Sequence, residues 1–234
     1  MSFALFFPLF WDPTFILLLP AMALALWAQA RVKSNYARFS QVPARCGMSG
    51  EEVARRLLSD EGLSSVVVNA TQGKLDDHYD PRNRTVNLSP GVHQGRSLAA
   101  LAIAAHETGH ALQHKSEWLP LALRSSIAPA VGLGSGLAFP LFFVGFIFPS
   151  FRILMDLGIW FFSLAVIFHL VTLPVEFDAS RRAMAMLSDK GILASDESAG
   201  AKKVLGAAAM TYVAAAAVSV MHLLRLIILR GARN

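Results

Sequence analysis

The chain has 234 residues, 54% of them hydrophobic and only 16% charged, against about 25% charged residues in an ordinary soluble domain. That balance excludes a soluble globular protein and places the chain in a membrane. Lys and Arg outnumber Asp and Glu by 21 to 16, and a net charge of +5 beside apolar runs marks a cytoplasmic membrane face, not a nucleic-acid surface. The single cysteine, Cys46, excludes an internal disulfide and a thiolate metal site, and fits a reducing compartment.

The first apolar run, Thr14 to Trp27, approaches spanning length with Phe10 and Trp11 as interfacial anchors. Ala28-Gln29-Ala30 resembles a signal-peptide cleavage site. However, no Lys or Arg precedes the run, Asp12 does, and Arg31 and Lys33 follow it. Residues 1–30 therefore read as an uncleaved anchor with its N-terminus outside.

Residues 31–125 change character: charges, turns and alternating patterns appear together, and the stretch reads as the soluble domain. Ser49-Gly50-Glu51-Glu52 is a capping box that opens a helix with Val53, Ala54, Leu57 and Leu58 on one face. Val66 to Val68 is a β-branched strand signal. A hairpin follows, with Leu75 to Tyr79 and Arg84 to Leu88 flanking the turn Asp80-Pro81-Arg82-Asn83. An exposed edge on the second hairpin strand can pair with an extended peptide by strand addition.

The stretch Ser97 to His114 is rich in helix formers and contains His106-Glu107-Thr108-Gly109-His110, an H-E-x-x-H pattern. Residues four apart share one helix face, so His106 and His110 can hold one zinc ion. Glu107 falls beside that ion, where its carboxylate can take a proton from a water whose pKa the metal has lowered towards ~7. Gly109 leaves room beside the ion.

The chain then returns to the bilayer. Ile127 to Phe148 carries no charge and includes a G-x-x-x-G pattern, Gly132 and Gly136, which lets a neighbouring helix come close. A third run covers Ile153 to Leu173, with Asp156 and His169 near its ends; residues 126–173 thus read as a transmembrane hairpin. Residues 174–203 are polar, and 204–234 form a last membrane helix with Ala207, Thr211, Ala215 and Ser219 in one small-residue stripe. His222 and Arg225 weaken its end.

With Arg31, Lys33, Arg38, Lys115 and Arg124 inside, the second and third spans leave and return, so Arg181 and Arg182 are inside too. Both polar regions then face the cytoplasm. Arg230 and Arg233 would lie outside against the rule, and a re-entrant or surface helix is the alternative for the last segment.

A catalytic zinc needs a third protein ligand and an open fourth position. Pro174 opens a helix over the polar return, and Glu176 is the expected third ligand, with Asp178 its alternative. His78, His93 and His114 are rival ligands, with His114 too far along the helix to join the same ion comfortably. For the oxyanion, His169, Arg181, Tyr212 and His222 are open choices.

H-E-T-G-H-A-L-Q-H, the segment D-H-Y-D-P-R-N-R-T-V-N-L-S and L-P-V-E-F-D-A-S-R-R-A together resemble the YugP-type neutral zinc metallopeptidases of bacterial membranes. The resemblance covers most of the chain from Tyr36 onward. It implies an α+β membrane protein with about four transmembrane helices and a zincin-like domain, in the bacterial plasma membrane. It also implies Zn²⁺ on His106, His110 and Glu176, with Glu107 as catalytic acid/base. More distantly the chain is similar to the HtpX and CAAX prenyl proteases, whose third ligand lies in E-x-x-A-D. Here Ser180 stands in the last position, so that group's supporting carboxylate is absent and Asp178 is the candidate substitute.

The expected activity is hydrolysis of peptide bonds in membrane or membrane-proximal proteins, with lipid and protein substrates as partners, no nucleic acid, and room for a larger complex or homo-oligomer. Two other classes compete. One is a catalytically inert zinc-binding membrane scaffold or assembly factor, against which the intact Glu107 argues. The other is a transporter, against which the placement of ionisable residues at span ends argues.

Overall fold

The computed structural model describes residues 13–73 and 76–232. Phe10, Trp11 and Asp12 before the first span, Leu75 in the hairpin and Arg233 lie outside the described residues.

A 3-10 turn, Pro13–Leu17, leads into α1, Leu18–Phe39. Helix α2, Gly50–Asp60, precedes strands β1 (Val67–Ala70), β2 (His78–Asp80) and β3 (Thr85–Leu88). After the short α3, Pro90–His93, come α4 (Leu98–Lys115), α5 (Leu119–Ile147), a 3-10 turn at Pro149–Phe151, α6 (Ile153–Asp189) and α7 (Ser195–Gly231). Among the described residues, 4 helical segments are long and apolar enough to cross a membrane: Pro13–Phe39, α5, α6 and α7. The fold is thus the expected α+β membrane class. The chain forms two compact units: a polar unit of residues 28–122 and 173–210, and an apolar unit of the remaining described residues.

In the polar unit, the capping box forms as the sequence dictates. Ser49 Oγ accepts from the Glu52 N–H at 3.2 Å, and Glu52 Oε2 accepts from the Ser49 N–H at 2.6 Å. The helix it opens buries Val53, Ala54, Leu57 and Leu58. The sheet has the order β1-β3-β2, with β1 parallel to β3 and β2 antiparallel to it. Val68, Val86 and Leu88 point into the core, and Val66 is buried just before β1.

The first strand therefore starts one residue later than its β-branched signal and runs on to Ala70. Strand β3 lies in the middle of the sheet, so the free edges belong to β1 and β2, not to the second hairpin strand. That correction follows from β1, which reaches past the hairpin to pair with β3 in parallel, a long-range pairing with no local sequence signature.

Helix α4 is the centre of this unit. Ser97 caps it by accepting from the Ala100 N–H at 3.2 Å, and Leu98 to Ala102, Ala104 and Ala105 are buried. Pro174 does not open a helix; it lies inside α6, which runs unbroken from Ile153 to Asp189. Apolar helices carry such internal prolines where packing holds the turn, as α5 does at Pro129 and Pro140.

The apolar unit is built around Ala138, Phe142, Met155, Phe162, Val166 and Leu226. Close approach is made not by Gly132 and Gly136, whose Cβ positions meet nothing within 4 Å among the described residues, but by Gly158 against the Ala138 carbonyl and Gly145 against Met155. The spacing found a helix with small residues; which of them face a neighbour depends on the rotation of the helix. Asp156 and Arg230 pair: Arg230 Nε donates to Oδ1 at 2.8 Å and Nη2 to Oδ2 at 3.3 Å.

Gly109 of α4 packs on the backbone of α6, since a Cβ built there would stand 2.7 Å from the Ala179 carbonyl oxygen. Backbone cannot yield as a flexible side chain can. Gly109→Ala is expected to lower stability by about 1–3 kcal/mol, the usual range for overpacking, although alanine favours an isolated helix. Denaturant unfolding of the purified protein in detergent checks this, and an unchanged midpoint would refute the close contact.

Candidate metal centre

Four residues apart on α4, the two imidazoles come together edge to face with ring centroids 4.7 Å apart. Helix α6 brings Glu176 against both. Its Oε2 lies 3.2 Å from His106 Nε2 and 3.7 Å from His110 Nε2. One donor atom from each of the three side chains falls within 4.8 Å of the others. A tetrahedral zinc with bonds of ~2.1 Å sets its donors about 3.4 Å apart, so two imidazole nitrogens and a carboxylate oxygen at these separations fit that ion. The donor chemistry fits as well: the set is the two-histidine, one-glutamate type that leaves a fourth position for water.

The surroundings hold each ring. His106 Nδ1 contacts Ser180 Oγ at 3.2 Å, while His110 Nδ1 contacts Gln113 Oε1 at 3.0 Å. Glu176 and Ser180 are themselves four apart on α6, so one face of that helix addresses both nitrogens of His106. Ser180, set aside in sequence because it is not an aspartate, thus makes the contact that position offers. Asp178 is not among the converging donors. Its carboxylate accepts from Gln113 Nε2 at 3.0 Å and from Arg182 Nε at 2.6 Å, and pairs with Arg181.

The rival histidines lie elsewhere. His78 is exposed beside the Asp76 carbonyl, His93 faces Glu51 at 3.4 Å, and His114 Nδ1 meets the Tyr79 hydroxyl at 2.8 Å. Arg181 is largely exposed and turned to Asp178. His169, Tyr212 and His222 belong to the apolar unit, where His222 packs edge-on against Phe139 and Phe162.

Glu107 is buried, next to His106 in sequence but outside the converging trio. Burial works against a charged His110 ring, yet the facing Glu176 carboxylate and the charge of Glu107 outweigh it and hold the His110 pKa above its ordinary value. A field that favours a proton there favours a metal cation for the same reason.

Asp77, just before β2, is a neighbour the sequence did not single out. It accepts from the Ser89 N–H at 2.7 Å and the Ser89 hydroxyl at 3.0 Å. Burial pushes its carboxyl up against those bonds, and the nearby Glu107 charge pushes it further. Asp77 opens the D-H-Y-D segment, but its nearness to Glu107 is not legible there, because it depends on the path of the hairpin.

The comparisons with known proteins agree with this geometry. Residues 14–231 match the model of a family described as "Putative neutral zinc metallopeptidase". The chain is 48% identical over 213 residues to the "Putative membrane protease YugP" of Bacillus subtilis (strain 168), covering 91% of this chain and 94% of that protein. No solved structure matches. With nearly its whole length matched by the family model and by that relative, and with a donor cluster suited to zinc, the chain belongs to the neutral zinc metallopeptidase family.

Proposed function

We propose that the protein is a membrane-embedded endopeptidase that hydrolyses peptide bonds in membrane or membrane-proximal proteins, with His106, His110 and Glu176 holding Zn²⁺ and Glu107 as acid/base. The observation that carries this reading is the convergence of both Nε2 atoms on a single Glu176 oxygen, with Glu107 buried alongside but outside the trio. Zinc, when bound, polarises a scissile carbonyl and lowers the pKa of water. Glu107 takes the water proton on its carboxylate and returns it to the leaving amine. A structural zinc site has no use for an unliganded buried acid, which favours the enzyme over an inert scaffold.

Strand β2 is an edge strand packed against α4, the helix that carries both histidines. An extended substrate segment can add to that edge through main-chain hydrogen bonds, so that grip does not depend on side-chain identity. Charge placement assigns the polar unit to the cytoplasmic side of a bacterial plasma membrane, with the N-terminus outside. The pairing of Arg230, near the end of α7, with Asp156, near the start of α6, supports the outward crossing of α7 that this topology requires.

Glu107→Gln is expected to retain zinc and fold while losing proteolysis by a factor of ~10² to 10⁴, whereas His106→Ala and Glu176→Gln lose metal and activity together. Zinc content measured beside cleavage of an unfolded membrane-proximal substrate checks both. Full activity in Glu107→Gln would sink the acid/base role, and full occupancy in Glu176→Gln the ligand assignment.

For topology, a cysteine introduced at Asn83 in a Cys46→Ser background should stay unlabelled by a membrane-impermeant thiol reagent in intact cells and react after lysis. Labelling in intact cells would place the polar unit outside.

A further inference from the structure

We propose that Gln113 is a positioning residue that fixes the ring tautomer of His110 and so sets the zinc affinity of the site, through a hydrogen-bond chain in which His110 donates to Gln113 and Gln113 donates to Asp178, an acceptor that Arg181 and Arg182 hold in place. The inference rests on the reading of His110 as a zinc ligand and goes beyond it, because nothing in the H-E-x-x-H pattern assigns a role to Gln113.

Direction in this chain follows from the donors and acceptors available. Guanidinium groups only donate, and a carboxylate only accepts. Arg181 and Arg182 donate to opposite oxygens of Asp178, which holds that side chain from both sides. Gln113, fully buried, has its amide nitrogen 2.8 Å from the Val175 carbonyl oxygen and 3.0 Å from Asp178 Oδ2. Both partners are acceptors, so the amide cannot be turned over, and Oε1 is the atom that faces His110 Nδ1 at 3.0 Å. An amide oxygen can only accept, so Nδ1 carries the proton. The Nε2 lone pair is thereby left for the side on which Glu176 stands.

His106 differs. Its Nδ1 meets a serine hydroxyl, which can donate or accept and therefore imposes no tautomer. Of the two paired histidines, His110 alone has its polarity dictated by a chain ending in fixed charge. Such outer partners orient a ligand ring, and their loss typically weakens metal binding by 10- to 100-fold.

The test uses the purified full-length protein in detergent, zinc itself as the probe and competition with a chromophoric chelator as the readout. The variants are Gln113→Met and Gln113→Glu; His110→Ala is the control. Methionine keeps the volume and removes the directed bonds, and should weaken zinc binding by about 10- to 100-fold, shrink the zinc-dependent rise in unfolding temperature, and shift the visible spectrum of the Co²⁺-loaded protein. Gln113→Glu sets acceptor against acceptor and should bind more weakly still, or fail to fold.

Nitrogen NMR of the histidine-labelled, zinc-loaded wild type reads the tautomer directly, whatever the stability of the variants, and should show the His110 ring protonated at Nδ1. A packing role alone predicts no loss of the zinc-dependent increment in the methionine variant.

Zinc affinity unchanged in Gln113→Met, or a His110 ring protonated at Nε2, overturns the proposal while leaving the metal centre intact. Full zinc occupancy in His110→Ala overturns the ligand assignment and this inference with it.

Discussion

The backbone contact between α4 and α6 is the constraint on which the metal centre depends. Gly109 lies between His106 and His110, and Ala179 lies between Glu176 and Ser180, so the point of closest approach is interleaved with the groups that form the site. A larger side chain at either position would stand between the helices and carry the carboxylate away from the imidazoles. The rest of the polar unit serves the same approach. Ala99, Ala100, Ala102, Ala104 and Ala105 on α4, and Ala179 and Ala183 on α6, are all buried, and their small size lets the surrounding elements close in.

Closing the site buries charge, and that burial explains the hydrogen-bond pattern around it. Glu107, Glu176 and Asp178 are all buried, where an isolated carboxylate is far from its most favourable environment. Asp178 is offset by two arginines and an amide; Glu176 lies against two imidazoles. A divalent cation among the three donors would complete the compensation and couple metal binding to the stability of the polar unit. Glu107 is placed by its position on α4 and not by ligation, and this leaves its carboxylate available for proton transfer.

The apolar unit solves a different problem. Without water to drive association in hydrocarbon, its helices meet through packing: Gly158 lies against the backbone of α5, and Phe139 of α5 meets Phe162 of α6 edge-on, while Phe142, Phe143 and Phe146 pack against one another along α5. Its ionisable groups are paired or stacked, as Arg230 is with Asp156 and Arg225 over Phe15. Such pairing is what a low-dielectric setting demands of any charge it keeps.

The sequence by itself determined the local features. The capping box at Ser49, the Ser97 cap, the long α4 and the four apolar helices all depend on residues close in the chain, and 3.6-residue periodicity set His106 and His110 on one face without further help. Glu176 was also legible, because charge placement returned its segment to the side of the histidines. Other features were decided by tertiary structure. The central place of β3, the continuation of α6 through Pro174 and the choice of Gly145 and Gly158 over Gly132 and Gly136 depend on partners far away in sequence. So do the roles of Gln113, Ser180 and Asp77. A hydrogen-bonding side chain shows in sequence what it is able to donate or accept, and only the packing of α4 on α6 and the path of the hairpin decide which atom it meets.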